Sequence, residues 1–194
     1  MQLIKCLLVI CLLPISAVGM DTLKVLFVYG SRPASKEEDK WFGGIHGGHV
    51  SIRYQEGFAS FVPKDGLQIF PKSPINSKFI CESGEHFVFD TTESRYLIIS
   101  IPIDSLKHLK LDSLIKAYLF ESPYPYAFFG MRCASASADL LQFAGLIEQV
   151  PKHRLWRQYF YPRQLRKILI KKARKNSWPM IYRIGRTSRR WEKD

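Results

Sequence analysis

Up to residue 103 the chain alternates short apolar runs with polar breaks, and beyond it the apolar residues fall into helical spacing. "LKVLFVYG" (23–30) is a β-branched and aromatic run closed by glycine, which suits a buried strand. "HVSIRY" (49–54) and "FASFVP" (58–63) flank "QEG", the pattern of two antiparallel strands joined by a tight turn. "HFVFDTT" (86–92) and "YLIISIPI" (96–103) read as two further strands. The segments between them, "SRPASKEEDKWFGG" (31–44) and "KDGLQIFPKSPINSKF" (64–79), are predicted loops. The second carries turn signals at Asp65–Gly66, Pro71 and Pro74.

Asp104 is a good N-cap for "SLKHLKLDSLIKAYLF" (105–120), with Leu106, Leu109, Leu114, Ile115 and Tyr118 as its apolar stripe. Two prolines in "ESPYPYAFFGMR" end that helix. A second helix opens at Cys133 and carries Ala136, Leu140, Leu141 and Ala144 on one face, with Gly145 as its stop. A last helix starts at Pro162, the favoured first-turn position for proline. It is expected to turn Leu165, Ile168, Leu169 and Ala173 inward and Arg163, Arg166, Lys167, Lys171, Arg174 and Lys175 outward. "MIYRIG" (180–185) returns as a final strand. Strands first, hairpins rather than crossovers, and helices around them predict an α+β fold, an antiparallel sheet with the Cys-bearing helix packed on it.

The N-terminus changes this picture. "MQLIKCLLVICLLPISAVGM" has Lys5, an apolar run from Cys6 to Ala17, and small residues at Ala17 and Gly19. That predicts a signal peptide over 1–19, a core over 20–150 and a basic helical C-terminal extension over 151–194 packed on the same domain. The expected location is secreted or periplasmic. Of the four cysteines, Cys81 and Cys133 would remain, and an oxidising compartment leaves a bridge between them open.

Charge is unevenly placed. From Lys152 onward there are fifteen Lys or Arg against two acids, a net of +13, while the rest of the chain sums to −1. On a secreted protein such a section suits an anionic polymer or a membrane surface, and nucleic acid is not an expected partner. A solvated basic face is the plainer account.

Cys133 is the candidate centre of chemistry. It starts a helix, where unpaired N–H groups and the macrodipole favour a thiolate, and Arg132 adds charge. Such a thiol needs a base. Of the five histidines, His49 is the strongest choice, because it begins a strand after Gly47–Gly48 and sheet pairing would hold it rigidly. His46 is second. A zinc set of His46, His49, His86 and a cysteine is disfavoured, since a Gly-Gly pair does not make the helix that would bring two rings to one face. No cofactor is expected.

"GGHVSI", followed much later by "YAFFGMRCASASADLLQFAGL", resembles the His and Cys segments of circularly permuted papain-like (NlpC-type) thiol hydrolases, in particular the bacterial envelope members. The resemblance spans roughly residues 22–147. It implies Cys133 as nucleophile and His49 as general base. It further implies a third polar residue to orient the imidazole, for which Ser60, His86 or Asp90 are available, and oxyanion or substrate-binding help from Tyr124 or Tyr126. Implied substrates are peptide amides or lipid-type acyl esters of the cell envelope, attacked by amidase, peptidase, esterase or acyltransferase chemistry. The alternative is a non-catalytic envelope-binding module that uses the basic C-terminal surface.

Overall fold

The computed structural model describes residues 20–29, 48–64, 66–72, 75–83 and 95–185. The expected signal peptide, the 31–44 loop, the strand at 86–92, and His46, His86 and Asp90 lie outside them.

Among the described residues six strands form one antiparallel sheet: β1 (Met20–Val28), β2 (His49–Tyr54), β3 (Gly57–Pro63), β4 (Ser77–Ser83), β5 (Tyr96–Asp104) and β6 (Met180–Arg183). Their order is β4-β3-β2-β1-β5-β6. Four helices, α1 (Ser105–Phe120), α2 (Cys133–Phe143), α3 (Lys152–Gln158) and α4 (Pro162–Asn176), complete the α+β architecture. Strand alternation sorts the side chains. Leu23, Val25 and Phe27 of β1, with Val50, Ile52, Phe61, Leu97, Ile99 and Ile101, join the helices in the main core. Leu26 and Val28 of β1 pack with Phe58, Tyr96 and Ile98 on the opposite face. Each fully buried aliphatic or aromatic side chain contributes about 1.5–3 kcal/mol.

α2 packs on β2 and β3 and is flanked by α1, α3 and α4. That surrounding explains why burial extends right round it, to Ser135, Ser137 and Gln142 as well as to its apolar residues. The alanines at 134, 136 and 138 have little bulk and let the neighbouring elements approach closely. Gly145, at φ 71, ends the helix in the left-handed conformation that suits glycine.

Several expectations need correction. Residues 77–79 fall in β4 rather than in a loop; "SKFICES" alternates from Lys78 outward to Phe79 inward, a pattern hidden behind the prolines before it. In α1 the Asp104 carboxylate does accept the Lys107 N–H at 3.0 Å. The buried positions are however Leu111 and Ile115, while Leu106 and Leu109 point to solvent. Of the expected stripe, Ile115 is fully buried and Leu114 and Tyr118 pack partly against the core, so packing on β1, β4 and β5 turns the buried face toward Leu111 and leaves only its first turns exposed. Arg166 is fully buried instead of outward, its guanidinium 3.8 Å over the Tyr29 ring. Residues 152–158, read only as a basic aromatic tract, form α3.

The β2–β3 turn runs through Gln55 at φ 50. Gly57, just after it, faces β4 so closely that a Cβ would lie 2.6 Å from the Glu82 carbonyl oxygen and 2.7 Å from Cys81 Sγ. Gly57→Ala should therefore destabilise the fold by roughly 1–3 kcal/mol, read as a lower urea midpoint with unchanged slope. An unchanged midpoint would show that β4 can move aside.

Candidate active site

The segment before α2 is held by its own backbone. Ala127 N–H donates to the Met131 carbonyl at 3.1 Å, and Phe128 and Phe129 N–H donate to the Gln68 and Ile69 carbonyls at 2.7 and 2.8 Å. These bonds fix where the chain enters the helix. Ser135, three residues in, accepts the Arg132 N–H at 2.8 Å and so closes the first turn.

Arg132 is buried against the C-terminal segment. Its guanidinium lies 3.6 Å over the Phe160 ring and 5.4 Å from the ring centres of Phe128 and Tyr161, and it donates to the Phe160 carbonyl. Such a stacked, desolvated cation is worth about 2 kcal/mol. Phe160 and Tyr161 thus pack on the residue that immediately precedes the thiol.

Cys133 itself is buried, at 5% exposure, and unbridged, as is the exposed Cys81. Backbone N–H groups of Val50 and Ala134 donate to Sγ, and so does the Tyr126 hydroxyl. The β2–β3 ladder runs from Ser51↔Ser60 to Tyr54↔Gly57, so Val50 is the first residue beyond it. The thiol therefore lies at the open end of that ladder. Burial pushes its pKa up; the Val50 N–H, the Arg132 charge, the Ala134 N–H and Tyr126 pull it back only in part. The helix N-terminus alone was expected to favour a thiolate, but desolvation outweighs it in this conformation. Burial also holds the Tyr126 hydroxyl in its protonated, donating form, while that oxygen accepts the Cys133 N–H.

His49 is likewise buried, and burial lowers its imidazole to about 4. It pairs with Val28, whose side chain belongs to the second cluster, whereas Val50 belongs to the main core. Cross-strand partners share a face, so His49 starts on the side away from α2. Among the described residues, Val50, Arg132, Ala134 and Tyr126 act on Cys133 Sγ, and His49 precedes Val50 in the chain.

Ser60 lies on the His49 face. It donates to Glu82 Oε2 at 2.7 Å and is 2.7 Å from Ser51 Oγ. A hydroxyl has one proton, so Ser51 must be the donor to Ser60. Sequence reading passed over Glu82, a buried carboxylate on the strand that was not recognised. Alternation puts Glu82 on the Lys78 face of β4, opposite Phe79, so nothing in the run marked it as buried. Tyr124 is elsewhere: its hydroxyl and that of Tyr118 share Asp139 Oδ2, at 3.4 and 2.9 Å. The structure thus brings Cys133 and Tyr126 together, and groups His49 with Ser60 by strand face.

A search of solved structures returns the crystal structure of a type VI secretion system effector, TseH. It is 14% identical, with the match covering 72% of this chain and 88% of that one, at a TM-score of 0.38. No family model and no curated protein matches the chain.

The lowered His49 pKa fixes a direction for stability. Between its usual value of 6.5 and about 4 the unfolded chain binds the proton and the folded one resists it. Stability is full above that window, falls as pH drops through it, and levels off below, a loss of about 3 kcal/mol. His49→Gln should flatten this part of a denaturation-versus-pH curve. The same slope in both proteins would mean that another group carries it.

Proposed function

We propose that the chain is a cysteine hydrolase of the permuted papain-like kind, acting in the cell envelope after export, with Cys133 as nucleophile and His49 as general base. The observation that carries this reading is the convergence of two backbone N–H groups and the Tyr126 hydroxyl on a sulfur at the start of a buried helix. A structural cysteine needs no such set of donors, whereas a sulfur that must carry negative charge does. Cys133 Sγ attacks the carbonyl carbon of an amide or ester and forms a thioester as the amine or alcohol leaves. Its proton passes to His49 and on to the leaving group, and water then cleaves the thioester. Tyr126, whose hydroxyl faces the sulfur, is a donor for the oxyanion once the sulfur has bonded to carbon.

Both partners rest neutral, so the reaction runs by general-base removal of the thiol proton during attack. To take the proton His49 must turn toward Sγ as substrate binds, and Gly48, at φ 83, stands just before it at the entry to β2. Resting geometry in such sites is often looser than in the substrate complex. Ser60 and the Glu82 carboxylate behind it lie on the His49 face and are suited to orient the ring.

p-Nitrophenyl acetate is a sufficient probe. Cys133→Ala should abolish enzymatic turnover, and His49→Ala should lower it roughly 10²–10⁴-fold. Tyr126→Phe should lower it by about 10²-fold or less while leaving the protein folded. The acid limb should lie near pH 4, where His49 titrates, rather than at its usual 6.5. Turnover that survives loss of the thiol would overturn the assignment.

A binding module is the second reading, favoured by Lys167, Lys171, Arg174 and Lys175, which are exposed along α4. It requires that reversing these charges abolish envelope binding while Cys133→Ala changes nothing.

A further inference from the structure

An exposed apolar patch adjoins the thiol's helix and takes no part in the chemistry above. Ile69, Phe70 and Phe129 are 55%, 60% and 42% exposed. The Phe70 and Phe129 rings stack at 5.3 Å, and Trp156 of α3 meets Phe129 edge-on at 6.4 Å. Hydrogen bonds between the two loops, Phe128 N–H to Gln68 O and Phe129 N–H to Ile69 O, hold the rings at the surface. Large apolar side chains fixed outward in this way carry a cost in water that a partner would remove.

The charge around them selects the partner. Lys72, two residues from Phe70, and Arg154, two from Trp156, are exposed, and so is Arg157, its guanidinium 5.1 Å from the Trp156 ring centre. From 151 to 163 the chain carries four Lys or Arg and no acid. Phenylalanine and isoleucine offer no hydrogen bonds to a sugar, and their rings are turned against one another rather than laid out as a flat platform. Aromatic and aliphatic groups rimmed by cations suit the boundary of an anionic bilayer, where the rings enter the acyl region and the cations meet phosphates. No helix among the described residues is long and apolar enough to cross a membrane, so the contact is peripheral.

We infer that Ile69, Phe70, Phe129 and Trp156, rimmed by Lys72, Arg154 and Arg157, form a docking face for an anionic lipid surface. Phe128 links this face to the site, its ring 4.9 Å from Phe129 and under the Arg132 guanidinium at 5.4 Å. Docking there places Cys133 beside the headgroup region. Resting on the hydrolase reading, this makes lipid-type acyl esters the substrate class rather than peptide amides of the wall.

The test is co-flotation with vesicles of phosphatidylcholine and phosphatidylglycerol, against phosphatidylcholine alone, at low and high salt. The protein should bind the anionic vesicles and weaken as salt rises. Phe70→Ser with Phe129→Ser should lower binding about tenfold or more, and Arg154→Glu with Arg157→Glu should do likewise. Reversing Lys167, Lys171 and Arg174 on α4 should matter less. Failure to float with anionic vesicles, wild-type binding by the Phe pair, binding lost mainly through α4, or capture by sacculi but not vesicles would each overturn it. Cys133→Ala should bind as wild type, so the docking claim fails or holds apart from the hydrolase reading.

Discussion

The N-terminus of α2 is buried, and the surrounding elements are arranged to satisfy it. A helix start leaves backbone N–H groups without intrahelical partners, and burial makes each unpaired one expensive. Ser135 takes the Arg132 N–H, Tyr126 takes that of Cys133, and the sulfur takes that of Ala134. Cys133 is therefore part of the cap as well as the candidate nucleophile. The same burial that makes the donors effective also raises the thiol pKa, so the resting site holds its reactivity back until a base takes the proton.

The C-terminal third belongs to this arrangement. Phe160 and Tyr161 close over Arg132, and α4 places the buried Arg166 against Tyr29 at the end of β1. Tyr29 meets a second guanidinium, that of Arg95, at 4.4 Å. Two cations on one ring are tolerable only where the surrounding packing holds them, which ties the position of α4 to the sheet beside β2. The basic segment thus divides its charges: some build the interior, and others remain on the surface.

Much of this was legible in the residues. The β2–β3 hairpin, the Asp104 cap, the Gly145 stop and the opening of helices at Cys133 and Pro162 all depend on local chemistry, and local chemistry is what a sequence displays. β4 was not legible, because its lone acid and its cysteine broke the apolar pattern and Glu82 meets its partner Ser60 on the adjacent strand. Nor was the burial of Arg166, which depends on a ring more than a hundred residues away in the chain. At the site, Tyr124 and Tyr126 were offered together as helpers of Cys133 and only Tyr126 lies beside it, and the effect of desolvation on the thiol depends on three helices that no local motif reports.

Exposure and chemistry make opposite statements about the two cysteines, and that contrast gives the most direct measurement. Cys81 is exposed on β4, whereas Cys133 is buried among donors. The folded protein would be mixed briefly with p-nitrophenyl butyrate at neutral pH, quenched in acid and mapped by peptide mass spectrometry. An acyl adduct on Cys133, absent from Cys81, is the result expected of a nucleophile in a prepared site. Acylation of Cys81 with Cys133 untouched would show that accessibility alone governs reactivity, and would leave Cys133 a packing residue.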